Sequence, residues 1–332
     1  MLDERDIVQL LQVRGREQGE LFAQARWERR KVFGTQVIVR GVTEIGNSCR
    51  VNCMFCPMRR DNTRENEVFL ADGSTLIEAA EEIRFNDINV VFFQAGEIPQ
   101  TTRLVGEVIP RIRDLFDNDV EILLNLGNKK TSEYEYLREQ GATSYILKHE
   151  TSDPELNARM RHETLEARLK CMTDLLRLGF KVGSGGIIGL PGQTLESIAG
   201  DIILARDMGV HMCSFSPLVP APDTPLADAP PGDVDTTLNA VAISRIVNPT
   251  WLIPSVSALG KNRADGQRSG YLAGANVMTI NFTPRPDTKR YLIYGKERFV
   301  VRRDYALDLL RSLGLAPGRS VFAGRGALPS LS

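Results

Sequence analysis

Eight β-rich segments, each separated from the next by an amphipathic stretch, constrain this chain more than any other feature. They read "TQVIVRGVTEIG", "INVVFFQAG", "VEILLNLG", "TSYILKHE", "KVGSGGIIGL", "HMCSFSPLVP", "WLIPSVSALG" and "ANVMTINFTP". Between them lie helical patterns such as "LIEAAEEIRF", "SEYEYLREQG" and "LEARLKCMTDLLRLG", several closed by a glycine at the C-terminal cap. Strand and helix in alternation dictate a parallel sheet with right-handed crossovers, and eight such units close an α/β (β/α)8 barrel. Residues 1–35 read as an N-terminal helical extension, 36–315 as the barrel, and 316–332 as a poorly ordered C-terminal tail. The proline-rich "SPLVPAPDTPLADAPPG" directly follows the sixth strand and reads as a long βα loop, not a linker.

A barrel of parallel strands binds ligands on the loops that leave the C-terminal ends of its strands. The loop leaving the first strand is "GNSCRVNCMFCPMRRDN", which carries Cys49, Cys53 and Cys56, three of the chain's five cysteines. Here composition matters. Forty-one basic against forty-two acidic side chains give a net charge of -1, so no global field draws the chain onto nucleic acid or an anionic membrane. No apolar run approaches the roughly eighteen residues of a membrane span, and "MLDERDIVQLLQVRGREQGELF" is charged and amphipathic, unlike a signal peptide. A cytoplasmic location and small-molecule partners are the expectation. In a reducing compartment an odd cysteine count with three clustered argues for a metal or catalytic site over disulfides. Three thiolates on one short loop suit three irons of a 4Fe-4S cube, with the fourth iron left open. Zinc is the competing reading. It wants four ligands, whereas Cys171 and Cys213 are isolated and His149, His162 and His211 are scattered. His149 reads as a packed structural histidine, and Cys171 and Cys213 as small buried hydrophobes.

The spacing C-x3-C-x2-C, with Phe55 just before the third cysteine, resembles the signature of the radical S-adenosylmethionine (SAM) superfamily. Further segments, "CPMRRDN", "YILKHETSDPEL", "GGIIGLPGQT", "PLVPAPDTPLAD" and "AGANVMTINFTP", resemble in order one group within it. That group holds the FeFe-hydrogenase maturase HydE, methylornithine synthase and biotin synthase, and the likeness is greatest to HydE. The resemblance implies that Cys49, Cys53 and Cys56 ligate a catalytic 4Fe-4S cluster whose open iron is chelated by the amino and carboxylate groups of SAM. It also implies that Gly96 and Glu97 approach the SAM ammonium, that Glu150 neutralises it, and that Arg168 grips the carboxylate through its planar fork. Ile188 is the implied apolar contact to adenine. Without the resemblance, Arg168 would read as an exposed helical charge.

The implied chemistry is reductive cleavage of SAM to a 5′-deoxyadenosyl radical that attacks a small polar substrate, fed by a one-electron donor such as flavodoxin or ferredoxin. Arg50, Arg59 and Arg60 would meet an acidic donor. Substrate would face a hydroxyl-rich lining of Ser214, Ser216, Ser255, Ser257, Thr279, Asn281 and Thr283, with Ser255 and Ser257 alternating against Val256 along the seventh strand. Departures from the group's patterns narrow the reading. No cysteine follows Cys213, so one cluster is expected and a sulfur-donating second cluster is not. Lys148 and Ile98 replace the Arg and Asp of HydE. Ser214, Val256 and Ala258 replace the substrate-holding residues of methylornithine synthase. The alternatives are a biosynthetic mutase acting on an amino acid and a non-catalytic iron–sulfur carrier. Anaerobic reconstitution should load four irons and four sulfides per chain, with visible absorption that bleaches on reduction; zinc in place of iron overturns the cluster.

Overall fold

The computed structural model describes residues 2–62, 67–295 and 298–323. Two helices come first, Glu4–Gln12 and Gly15–Phe33. Asp3 caps the former by accepting the Asp6 N–H, and Asp6 returns the bond in a capping box. The second buries a stripe of Leu21, Ala25, Arg29 and Phe33 and packs on the helix Val234–Val247, where Gln18 donates to Asn239 Oδ1 at 2.9 Å.

The strands are β1 (Gln36–Gly46), β2 (Val90–Ala95), β3 (Glu121–Asn125), β4 (Ser144–Ile146), β5 (Lys181–Ser184), β6 (Ile187–Ile188), β7 (Met212–Cys213), β8 (Ser216–Pro217), β9 (Val277–Asn281) and β10 (Ala316–Gly318). Adjacent strands run parallel in the order β9, β1, β2, β3, β4, β5, β7, and β6 pairs β8 beyond the ends of β5 and β7. Val90 to Phe93 are buried on both faces of β2, as a parallel strand covered by helices requires. Outside lie the helices Gly73–Phe85, Gln100–Leu115, Thr131–Gln140, Pro154–Arg161, Leu165–Arg177, Leu195–Asp207 and Val234–Val247. Asp72, Asp153, Thr164, Thr194 and Asp233 each cap one of these by accepting a backbone N–H.

Two expectations change. The seventh strand shrinks to single parallel bridges, Met212 with Leu252 and Pro254 with Val277, which still join β7 to β9 and close the wall. Pro254 brings no N–H to a ladder, and a helix, Ser257–Asn262, begins two residues after Ser255. Ser255 and Ser257 therefore do not alternate along a strand. Ser255 is buried, with its Oγ donating to Gln267 O at 2.6 Å, and Ser257 opens the helix.

The second change concerns residues 316–323, which form a strap and not a loose tail; residues 324–332 lie outside the described residues. β10 pairs with the first residues of β1. Arg319 then pairs with Asp87 and Asp119 at 2.7 Å each, and the Ser320 hydroxyl donates to Glu121. Phe322 meets His211 edge-on, and with Val321 it packs against Ile38, Val90, Leu123 and Leu252 across the N-terminal end of the barrel. Replacing this half-buried ring, Phe322→Ala, should cost about 1–3 kcal/mol of unfolding free energy in anaerobic urea titrations; an unchanged midpoint would show that the strap bears no weight.

Candidate active site

After Asn47 the chain folds into the cysteine loop, which is held by backbone bonds to three places. Arg50 N–H donates to Glu97 O at 2.9 Å, Met54 N–H to Met160 O at 2.8 Å and Arg60 N–H to Val51 O at 2.9 Å. Position 96 must be glycine for the loop to come so near: a Cβ there would lie 2.1 Å from Ser48 O and 2.9 Å from Cys49 Cβ. The glycine thus admits the cysteine loop itself. Glu97 N–H then donates to Cys49 Sγ at 3.3 Å, and Val51 N–H does so at 3.4 Å.

Cys53 is buried and Cys49 and Cys56 are half-buried. Burial pushes all three thiols up, Cys53 to about 11 and Cys56 further, the latter helped by its two neighbouring thiols. Thiols in this state give up their protons to a cation and not to water. Among the described residues, no three Cys, His, Asp or Glu side chains converge as one metal ion would need. Three clustered thiols that do not share one ion suit a cube that takes each on a separate iron better than they suit zinc.

Behind the loop lies a network of buried charge. Glu97 is 4% exposed, and its carboxylate is committed: it pairs with Arg50 and accepts the Asn128 N–H at 2.7 Å. It therefore braces the cysteine loop against the ends of β2 and β3. Arg168 is not an exposed helical charge but is 4% exposed, with Nη1 donating to Asn128 Oδ1 at 2.8 Å and Nε buried without a partner among the described residues. Burial lowers its pKa, and repulsion from Arg161 adds to this, against Glu97, Glu150 and Cys53. Arg161 donates to Glu163 Oε2 at 3.0 Å and also leaves its Nε unpaired. Glu150 Oε2 is buried without a hydrogen bond among the described residues, its ion-pair partner Lys148 Nζ lying 3.4 Å away. Glu150 also has φ +70°, a left-handed conformation costing a non-glycine residue about 1–3 kcal/mol, of the kind held at functional sites.

A cavity of about 220 Å³ opens from this network into the barrel. Phe55, Cys56 and Glu150 line its cluster end, Lys148, Ser214 and Ser216 its wall, and Arg40 and Gln94 its deeper part. Ile188 does not line it. That side chain is turned into the core, and Ile187 takes the expected apolar place. An adjoining space of about 140 Å³ is lined by Ser257, Thr279 and Asn281, among others. Thr283 is spent on Glu44, whose N–H it accepts at 2.9 Å.

Several lining residues were absent from the expected set. Arg40 is the plainest: its Nε donates to Thr279 Oγ1 at 2.6 Å, its guanidinium lies over Phe92 at 5.0 Å, and burial lowers its pKa to about 10. A charge in the middle of the apolar "VIVRGV" was the available signal. Tyr294, with φ +63°, lines both spaces, and nothing in the local sequence marks it.

Residues 43–205 match the model of the radical SAM superfamily. The chain is 34% identical over 306 residues to the [FeFe] hydrogenase maturase subunit HydE of Thermotoga maritima, covering 90% of this chain and 87% of that one. It is 25% identical over 236 residues to biotin synthase of Thermotoga neapolitana, covering 70% and 84%. Among solved structures, methylornithine synthase (PylB) superposes with a TM-score of 0.82 at 21% identity, covering 96% and 95% of the two chains. The maturase HydG from Carboxydothermus hydrogenoformans superposes with 0.78 at 21% identity, covering 99% and 78%.

The Gly96 contact yields a direct test. In Gly96→Ala the added methyl meets backbone, which cannot swing aside, so iron incorporation should fall several-fold while the barrel stays folded by circular dichroism. Full iron loading in that variant would show that the loop tolerates displacement.

Proposed function

Since this chain belongs to the radical SAM superfamily, we propose that it is a maturase of the HydE type that acts on a small, anionic, polar substrate held inside the barrel. Enzymes of this family use a 4Fe-4S cluster and SAM. When bound, that pair supplies the one-electron cleavage of SAM into methionine and a 5′-deoxyadenosyl radical, the hard chemistry that a protein side chain cannot perform.

The chain's own residues do the rest. Cys49, Cys53 and Cys56 would hold the cluster, and Gly96 and Glu97 keep their loop in place. Glu150 would take the ammonium of SAM and Arg168 its carboxylate. The observation that carries this reading is a buried acceptor and a buried donor next to the thiol loop, Glu150 Oε2 and Arg168 Nε, each without a hydrogen-bond partner among the described residues, Oε2 having the Lys148 ammonium 3.4 Å away. Buried polar atoms are otherwise almost always satisfied, and a zwitterion would satisfy both. Phe55 and Ile187 supply apolar surface at the cavity's cluster end and wall.

Charge and hydrogen bonding in the cavity select the substrate class. Arg40 and Lys148 bring two cations, and Ser214 and Ser216 bring hydroxyls, with Lys148 Nζ 3.2 Å from Ser216 Oγ. An anion with further polar groups matches these donors. Val256 lines the same cavity with an apolar side chain, which disfavours a methylornithine-type reaction on lysine. An acidic one-electron donor of the flavodoxin or ferredoxin kind would dock near the exposed Arg60, and a cytoplasmic setting agrees with the reducing conditions such a cluster needs.

Arg168→Ala should weaken SAM binding about tenfold or more with iron content unchanged, because a charged hydrogen bond to a buried anion is worth roughly 1.5–3 kcal/mol. Cys53→Ala should abolish both iron binding and SAM cleavage. Deuterium transfer into 5′-deoxyadenosine discriminates substrates: label should move from a small carboxylate-bearing thiol such as cysteine and not from lysine, and strong transfer from lysine would overturn the maturase reading.

A further inference from the structure

The left-handed turn at Glu150 is built from behind. Residues 149–152 leave β4 strung between two helices. Asn157 Nδ2 donates to His149 O at 2.6 Å and to Thr151 O at 3.1 Å, while Ser152 N–H donates to Asp201 Oδ1. Gly186, which forms a parallel bridge with Glu150, has no room for a side chain, since a Cβ there would lie 2.9 Å from Asp201 Oδ2 and 3.0 Å from Glu150 O. Asp201 and His149 are both fully buried, with His149 Nε2 3.7 Å from Asp201 Oδ1. His149 Nε2 and Asp201 Oδ2 are each without a hydrogen-bond partner among the described residues.

Hydrogen-bond accounting places the protons. The Ser184 hydroxyl has one hydrogen, which goes to Leu147 O at 3.1 Å, and its oxygen accepts the His149 N–H at 3.2 Å. His149 Nδ1, 2.8 Å from the same oxygen, must then be the N–H of the ring. A protonated Nε2 would hydrogen-bond Asp201, yet the two stand 3.7 Å apart with no bond between them, so in a neutral ring Nε2 is a bare lone pair facing Asp201. A lone pair against a carboxylate in a dry site is repulsive, and a proton on Asp201 removes the conflict.

We propose that Asp201 is a positioning residue for SAM binding: as a neutral acid against a neutral His149 it anchors Ser152 and so keeps Glu150 in its left-handed, cavity-facing conformation. This rests on Glu150 being the partner of the SAM ammonium. Burial favours the same protonation, pushing Asp201 up to about 8 and His149 down to about 3. The charged and titratable groups facing the pair are Lys148 and Glu150 on its own segment, Arg168 from the helix Leu165–Arg177, and Cys213 from β7. Glu150 helps to raise Asp201, whereas Lys148 opposes the shift. For a carboxyl raised from 3.8, the stabilising contribution is complete below that value and is lost as pH rises through about 8.

The test uses the reconstituted holoprotein with Asp201→Asn and Asp201→Ala. Infrared difference spectra should show the carbonyl band of a protonated carboxylic acid at neutral pH, fading as pH passes about 8 and missing from Asp201→Asn. An amide can accept from Ser152 and donate to Nε2, so Asp201→Asn should keep SAM affinity within about twofold, while Asp201→Ala should lose about tenfold or more at unchanged iron content. An ionised Asp201 at neutral pH overturns the proposal, as does an Asn variant as damaged as Ala or an Ala variant that binds SAM normally. Should Asp201→Ala fail to fold, the band and the Asn variant decide alone. A wild-type protein that binds no SAM would instead defeat the functional reading, and the infrared band would still report on the proton.

Discussion

The carbonyl oxygen of Ser48 lies where any side chain at position 96 would have to be. That one close approach organises the site. With the cysteine loop seated on the end of β2, the Glu97 N–H reaches Cys49 Sγ and the Glu97 carboxylate reaches Arg50 and the backbone of Asn128. Asn128 in turn holds Arg168. Thiol loop, second strand, third-strand loop and the helix bearing Arg168 are thus joined by consecutive hydrogen bonds. Such a chain transmits position: where the loop sits determines where the guanidinium points.

The network is costly in isolation. Arg161 and Arg168 are two buried cations: burial and the charge of Arg161 lower Arg168, which Glu97, Glu150 and Cys53 offset only in part, whereas Cys53, Glu150 and Glu163 more than offset the burial of Arg161. Nε of each arginine and one oxygen of Glu150 remain unsatisfied among the described residues. A fold that keeps unsatisfied polar atoms of charged groups out of water gives up stability, and the surrounding packing has to over-determine the arrangement. The return is that a ligand carrying the complementary charges meets groups already desolvated and aimed, so little reorganisation is needed on binding.

The barrel that supports this departs from regularity in ways that serve the same end. Its seventh stave is reduced to bridges at Leu252 and Pro254, which leaves Val256 in the cavity wall and lets the helix Ser257–Asn262 start at the rim. At the opposite end, residues 316–323 cross the bottom and fill it with Val321 and Phe322. Among the described residues, that end of the barrel is thus lined with apolar side chains, while the cavity lies toward the cysteine loop.

Much of this was legible in the chain alone, because the relevant information is local. Strand and helix periods, the glycines that close several helices, and three cysteines within eight positions need no tertiary contact to be recognised, and they were sufficient for the barrel and the cluster loop. What the tertiary structure decided turns on parity and distance. Ile188 shares the parity of Val182, whose side chain packs into the surrounding core, whereas Ile187 shares that of Gly183 and lines the cavity. Ser255 and Ser257 both line the smaller space, but from a strand end and a helix start and not as alternate residues of one strand. Arg40 became a site residue only through the fold, and Arg168, implied by the resemblance, takes its buried place there only through it, Thr279 and Asn128 being 239 and 40 residues away in the chain. Short-range pattern specifies which elements form, but which side of an element meets a ligand depends on register and on partners distant in sequence, and only the folded chain brings those together.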